Sequence, residues 1–409
     1  MLARAFADRE IADALSGRGL HVVAVGKAAA AMAAAFVATP HLAIRQAIAI
    51  GTHEHVDLPA SVEWIESGHP FPDSRSEAAG RRALAVAERV HSGEALVILL
   101  SGGASALMAA PISGISLADK IETTRLMMAS GADIHALNTV RRHLSRVKGG
   151  RLAAACVGTT ITLAISDVVG DDLHAIGSGP GVPDATTWSD ATAALDRFGG
   201  DAHSDRVRDV IRAGMAGELP DTAKAGHPAL ARAVARVIGS RIDAMNGART
   251  AALERGYQVF EIMEPVTGEA RVAGPEWFDR ARKLIGPSAR KACVISSGET
   301  TVRVTGKGIG GRNLEFALSI ADAISSVPRA AAASIGTDGI DGSSGVAGGI
   351  VDSTTMTRAA RAGLAPPGNY LAANDSFAFF APLDDAVRLG RTDTNVGDLQ
   401  VFLIDEGRS

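Results

Sequence analysis

Short runs of apolar and β-branched residues recur along the first half of this chain, with little polar alternation inside them. Residues 21–25 (HVVAV), 46–50 (QAIAI), 95–100 (ALVILL) and 159–165 (TTITLAI) are of this kind, and 62–66 is a further candidate. Such runs suit strands covered on both faces, as in a parallel sheet. Helical stretches lie between them. One is Ala-rich and follows Lys27 to about residue 37, one covers 74–91, and one covers 117–130 with Ser116 placed to cap it. Residues 151–157 are expected to add another. The alternation predicts an α/β first half, doubly wound, with its functional loops at strand C-termini.

Residues 199–228 carry Gly, Asp and Pro and little periodic pattern, which sets a domain boundary near 230. The expected domains are 1–230 and a smaller α/β domain at 231–409. In the second, 234–239, a helix to about 255 and 257–263 read as a β-α-β unit. Strands are expected at 292–296, 300–305, 331–335, 370–372 and 399–404, with a helix at 313–325.

Composition narrows the function. The 409 residues are 46% hydrophobic and 21% charged, which suits a folded protein and excludes global disorder. Forty-one Lys and Arg stand against 45 Asp and Glu, and only 4% of residues are aromatic. Neither bulk charge nor stacking surface therefore favours nucleic acid or an anionic membrane, and neither partner is expected. No run reaches the roughly 18 apolar residues of a membrane span, and the first residues lack the apolar centre of a signal peptide, so a cytoplasmic protein is expected. Cys156 and Cys293 sit in apolar strand-like runs and read as buried thiols.

Several strand-to-helix junctions can carry chemistry. Ser101-Gly102-Gly103-Ala104-Ser105 follows ALVILL, and small residues before a helix let backbone N–H groups approach an anion. Lys27, in AVGKAAAAM, has small apolar neighbours and can hold a carboxylate or phosphate. Asp167 follows TTITLAI and can take a proton from a hydroxyl or help hold Mg²⁺. Asp338 and Asp341 lie in a second acidic loop whose spacing departs from the calcium-binding EF-hand. Residues 306–311 (GKGIGG) satisfy G-x-G-x-x-G, and Gly308, Gly310 and Gly311 there can offer backbone donors to phosphate. Arg312 follows directly, well suited to a phosphoryl group. The segment NTVRRHLSRVKGGR gathers Arg141, Arg142, Arg146, Lys148 and Arg151. If it is helical, Arg142 and Arg146 share a face, and the run is either solvated surface or a local anion funnel. G-x-S-x-G and H-E-x-x-H are missing, and His69 and His143 read as structural histidines.

In this order, VVAVGKAA, IESGHPFPD, SGGASALM, SGADIHALNTVRRHLSRVKGGRLA, ISDVVGDDLHAIGSGP, SGETTVRVTGKGIGGRNLEFAL, GTDGIDGSSGVAGG and NDSFAFFAPLDDAVRLGRTDTNVGDLQVFLI resemble the glycerate 2-kinase family with a C-terminal MOFRL domain, whose members are also often labelled hydroxypyruvate reductase. The resemblance runs from about residue 20 to 404. It implies a Rossmann-like N-terminal domain, a smaller α/β domain, and an active site in the cleft between them. It also implies ATP-dependent phosphorylation of the 2-hydroxyl of D-glycerate, with ATP and Mg²⁺ as cofactors and D-glycerate as the small-molecule partner; a homodimer is compatible with it. The family's functional lysine falls on Lys27, its aspartate on Asp167 and its arginine on Arg312. Ser101, Gly102, Gly103, Ser105, Gly308, Gly310 and Gly311 would then meet phosphates, and Asp338 or Asp341 would assist Mg²⁺. Asp338 would also face the nucleotide, with Asn374, Asp375, Thr394 and Asn395 as contacts at the rim. The chain departs from the family pattern at Ala104, Ala136, Ser297 and Leu314, the last deleting an amide expected near the cleft.

Two other classes stay open from the residues alone. A NAD(P)H-dependent hydroxypyruvate reductase would use the G-x-G-x-x-G match, but needs an acidic ribose contact about 20 residues on. A non-enzymatic sensor of small anions would keep the site without turnover.

Overall fold

The computed structural model describes residues 1–52, 58–286 and 290–405. By contact the chain divides into two units, Met1–Ser166 with Gly170–Ile238, and Asp167–Val169 with Gly239–Ser409.

The first unit is built on a six-stranded sheet. Its strands are β1 (Gly19–Val25), β2 (Ala43–Gly51), β3 (Val62–Glu66), β4 (Ala95–Leu100), β5 (Thr159–Ile165) and β6 (Val234–Gly239), in the order β3-β2-β1-β4-β5-β6. This is the strand order of a Rossmann fold. The pairs β1–β2, β2–β3, β1–β4 and β4–β5 are parallel. Every residue of β4 and β5 is buried, the outcome the unbroken apolar runs imply for strands covered on both faces. Ser116 caps the helix Leu117–Ala129 by accepting from the Asp119 N–H, and Asp119 returns a bond to its backbone.

The second unit carries a mixed sheet. Its strands are β7 (Gln258–Glu269), β8 (Lys291–Thr301), β9 (Ala330–Gly336), β10 (Gly348–Asp352), β11 (Ala386–Val387) and β12 (Asp398–Asp405), in the order β11-β10-β9-β12-β8-β7. Among the described residues, β7–β8 is the one parallel pairing along this sheet. Trp277, Phe278, Phe316, Phe379, Phe380 and Phe402 anchor its apolar core.

Four expectations are corrected here. The run 234–239 joins the first sheet, so no β-α-β unit links it to β7 in one sheet. Residues 292–296 and 300–305 are not two strands: one strand runs to Thr301 and stops where its partner β7 ends at Glu269. Residues 370–372 lie in the helix Pro367–Ala373, where proline at the first position suits a helix start. The helix expected over 151–157 covers only Arg151–Ala154.

Both cysteines are buried free thiols, and burial pushes Cys293 up to about 11. Among the described residues no helix is long and apolar enough to cross a membrane.

Candidate active site

In the first unit the strand order reverses between β1 and β4, and the crevice beyond their C-terminal ends is where open α/β sheets bind ligands. Lys27 leaves β1 there, and Ser101 to Ser105 leave β4. The two loops are tied together. The Lys27 N–H donates to the Gly102 carbonyl at 2.8 Å, and the Ala28 N–H donates to Ser101 Oγ at 3.0 Å. Gly26 allows this approach. Its φ is +129°, and a Cβ on it would stand 2.1 Å from Ser101 Oγ. Ser101 is fully buried.

Ser101 is therefore a structural clamp in this arrangement, its hydroxyl engaged by backbone. Gly103 begins the helix Ala104–Leu107, which is one turn long, so the expected helix N-terminus facing an anion is only a short turn. The imidazole of His69 lies beside Gly103. Ser105 Oγ bonds Ser178 Oγ at 3.1 Å and receives Lys148 Nζ at 3.0 Å. His143 is buried, with Nδ1 against Thr139 O at 2.8 Å and Nε2 against Asp221 Oδ1 at 2.9 Å, so it is a satisfied structural residue.

In the second unit Arg312 opens the helix Arg312–Ser319. Its Nε and Nη2 donate to the two oxygens of Asp398 at 2.7 and 2.9 Å, and Nη1 donates to Glu299 Oε1 at 2.8 Å. Burial raises the pKa of Glu299, partly opposed by Arg312, and Asp167 adds to the rise. Glu299 and Asp398 were not singled out by sequence. A carboxylate inside a strand run, as in SGETT, and one at the strand start, as in GDLQ, carry no local signal of the guanidinium they meet. Asn395 Nδ2 donates to Asp167 Oδ2 at 2.7 Å, both residues being counted in this unit.

Several candidates have other work. Both oxygens of Asp341 cap the helix of Arg312, accepting from the Asn313 and Leu314 N–H groups at 3.0 and 2.8 Å. Burial pushes its carboxyl up to about 6. Both oxygens that were expected to assist Mg²⁺ are engaged by this cap. Asp338 Oδ1 accepts from the Ile340 N–H at 3.1 Å. Among the described residues, no group of three or more His, Cys, Asp or Glu is arranged to hold a metal ion.

The strand expected over 300–305 ends at Thr301, short of the glycine-rich segment. No strand leads directly into it, so the dinucleotide-fingerprint context is absent. Four of its N–H groups face protein: Gly306 N to Asn374 Oδ1, Gly308 N to Ala373 O, Ile309 N to Asp375 Oδ1 and Gly310 N to Ser343 Oγ. A Cβ on Gly306 would stand 1.9 Å from Ala373 O, on Gly310 2.3 Å from Ser376 Oγ, and on Gly311 2.3 Å from Asp341 Cγ. These glycines admit a neighbouring segment. Asn374 is saturated, accepting from Thr305 N and Gly306 N and donating to Glu315 Oε1 and Arg303 O, so it pins this loop rather than offering itself to a nucleotide. Leu314 is fully buried in the apolar core, so no amide is lost from a site surface. The helix Ile134–His143 ends before Arg146, so Arg142 and Arg146 share no helix face: Arg142 is buried against Asp184 and Arg146 is exposed.

A family model described as a domain of unknown function (DUF4147) matches residues 2–212, and the MOFRL family model matches residues 292–398. D-glycerate 2-kinase of Thermotoga maritima is 36% identical over 407 residues, covering 98% of this chain and 94% of that protein. Glycerate 2-kinase of Pyrococcus horikoshii is 36% identical over 398 residues, covering 95% of this chain and 88% of that protein. The crystal structure of glycerate kinase from Thermotoga maritima superposes with a TM-score of 0.85 at 36% identity, over 97% of this chain and 95% of that one.

Proposed function

The chain belongs to the glycerate kinase family, and from that premise we propose that it is an ATP-dependent glycerate 2-kinase, moving the γ-phosphoryl group of ATP to the 2-hydroxyl of D-glycerate. The observation that carries this reading is the near full-length likeness to D-glycerate 2-kinase. The loops joined at the ends of β1 and β4 support it, because they stand at the switch point where such a sheet takes its ligand. The missing strand before the glycine-rich segment weighs against the reductase reading.

Phosphoryl transfer needs positioning and charge neutralisation more than covalent chemistry. In the proposal Asp167, one oxygen fixed by Asn395, orients the 2-hydroxyl and takes its proton as the oxygen bonds to phosphorus. The bond from the γ-phosphorus to the bridging oxygen breaks, and ADP leaves. Lys27 in the first unit and Arg312 in the second are each proposed to meet an anion, a carboxylate or a phosphoryl group. Three of the five N–H donors of Arg312 are engaged by Asp398 and Glu299, which sets the plane in which the guanidinium can meet an anion.

The described residues do not form a dedicated magnesium cage. Mg²⁺ is proposed to arrive on ATP's phosphates, as this ion commonly does, with Asp338 as its one protein carboxylate. The enzyme so proposed acts in the cytoplasm on a small molecule, and a homodimer is compatible with it.

Product identification by ³¹P NMR tests the reading. With ATP, Mg²⁺ and D-glycerate, 2-phosphoglycerate and ADP are the expected products. Formation of 3-phosphoglycerate alone, or oxidation of NADH by hydroxypyruvate with no phosphoryl transfer, overturns it.

A further inference from the structure

A group of cations in the first unit has been given no role so far. Lys120 lies near the start of the helix Leu117–Ala129, and Arg141 and Arg142 lie near the end of the helix Ile134–His143, which packs on it. Lys148 follows on the next turn, and Arg151 opens the helix Arg151–Ala154. Arg142 is accounted for by Asp184, at 2.7 Å with both side chains buried. The other four are not balanced in this way.

Lys148 is buried, and its Nζ meets only neutral acceptors, Ser105 O at 2.9 Å, Ser105 Oγ at 3.0 Å and Gly177 O at 3.4 Å. Arg151 donates to Pro220 O at 3.0 Å while its Nε is buried with no acceptor. Lys120 is 8% exposed, and its Nζ has no hydrogen-bond partner. Among the described residues no carboxylate forms an ion pair with Lys120, Arg141, Lys148 or Arg151. Asp184 and Asp221 act on Arg151 from a distance but are engaged elsewhere, Asp184 with Arg142 and Thr186, Asp221 with His143 and Lys224.

Cations buried without counter-charge are strongly unfavourable. An anion from outside removes that penalty at all four positions together. We propose that Lys120, Arg141, Lys148 and Arg151 form a binding site for a phosphoryl oligoanion, either the triphosphate of a nucleotide or an inorganic polyphosphate. With a nucleotide as occupant the inference rests on the kinase reading; with inorganic polyphosphate it stands without it.

Two observations favour an oligoanion over a lone carboxylate. Four cations match a multiply charged chain, and one carboxylate would leave most of them unbalanced. The lysines are buried while Arg141 and Arg151 are half-buried, so in the proposed site the arginines stand on the outer side and the lysines on the inner. Lys148 also joins this group to Ser105, in the loop that leaves β4. Burial, then the charges of Arg141 and Arg151, pull Lys120 down to about 7, so an anion arriving beside it would draw a proton onto it as well as balance its charge.

Thermal unfolding of the full chain tests the site, with sodium tripolyphosphate, ATP without added metal, and sodium chloride at matched ionic strength as separate additions. Tripolyphosphate is expected to raise Tm saturably beyond the chloride control. Lys120→Met is expected to weaken that apparent affinity by about tenfold or more, while its ligand-free form melts no lower than wild type because an unpaired buried charge is gone. Arg141→Gln, on the half-buried side, is expected to weaken it too, and serves if Lys120→Met does not fold. A Lys120-dependent shift with ATP identifies a nucleotide as the occupant; one with tripolyphosphate alone identifies the inorganic anion, and either upholds the site. No shift beyond chloride, or a shift kept in both variants, overturns it. Turnover of D-glycerate without any such shift overturns this inference alone. A Lys120-dependent tripolyphosphate shift without turnover overturns the kinase reading alone.

Discussion

Arg312 meets Asp398 side-on, Nε to Oδ2 at 2.7 Å and Nη2 to Oδ1 at 2.9 Å, and Asp398 is wholly buried beneath it. Burial works against the guanidinium's charge, but Asp398 and then Glu299 outweigh it and hold its pKa well above the ordinary value. The two parallel bonds fix orientation as well as charge. Arg312→Lys keeps the charge and loses the fork, so kcat is expected to fall on the order of 10²-fold with the fold retained. Asp398→Asn removes the charged partner and is expected to destabilise the chain by about 3 kcal/mol. Steady-state kinetics and urea unfolding read the two effects; kcat within threefold of wild type for Arg312→Lys removes the fork from the mechanism.

The loops after β1 and β4 separate a chemical role from a structural one. Lys27→Ala is expected to lower kcat on the order of 10³-fold with little change in Tm. Gly26→Ala drives a Cβ against Ser101 Oγ at 2.1 Å in a backbone conformation that disfavours side chains. It is expected to lose about 1–3 kcal/mol of stability along with activity. Equal Tm for Gly26→Ala and wild type would show that the loops do not need this close approach.

Asp167→Asn retains a side chain of the same size for Asn395 to meet but no longer accepts a proton. Its kcat is expected to fall by at least about 10²-fold, with the KM for D-glycerate moving far less. An unaltered kcat would remove Asp167 as the base.

The glycine-rich segment is expected to behave as packing. Gly306→Ala places a Cβ 1.9 Å from Ala373 O, and a loss of about 1–3 kcal/mol is expected. In protein that remains folded, the affinity for ATP should be unchanged. A variant of normal stability with tenfold weaker ATP binding would restore the phosphate role.

The helix cap made by Asp341 predicts a pH dependence. Its carboxyl, ordinarily near 3.8, is raised by burial to about 6 in the folded chain. The folded state therefore binds the proton more tightly, and the stability this supplies is present below about pH 4 and lost as pH rises through 6. The stability difference between wild type and Asp341→Asn should shift against wild type by roughly 2 kcal/mol from pH 4 to pH 7. Urea unfolding at both pH values measures it, and a pH-independent difference rejects the raised carboxyl.

Local pattern carried much of the first sheet. β1, β2, β4 and β5 fall on runs of apolar and β-branched residues, because a strand covered on both faces needs no alternation and announces itself by composition. Ser116 was legible as a cap because an N-cap acts on residues two or three positions away. The second sheet was harder. β10 and β11 are short, and β8 ends at Thr301 because β7 offers no partner beyond Glu269, a limit set on another strand.

The amino-acid order by itself determined the parallel strands, the small-residue loops that follow them, and which charged residues stand at strand ends. Tertiary structure alone decided what each of those charges does. It set Asp398 beneath Arg312, turned Asp341 into a cap, saturated Asn374 with backbone, paired Arg142 with Asp184 and left Lys120 with no partner. The physical reason is range. A strand or a cap is fixed by neighbours within a few residues, whereas the counter-charge of a buried ion comes from wherever the packed chain brings one.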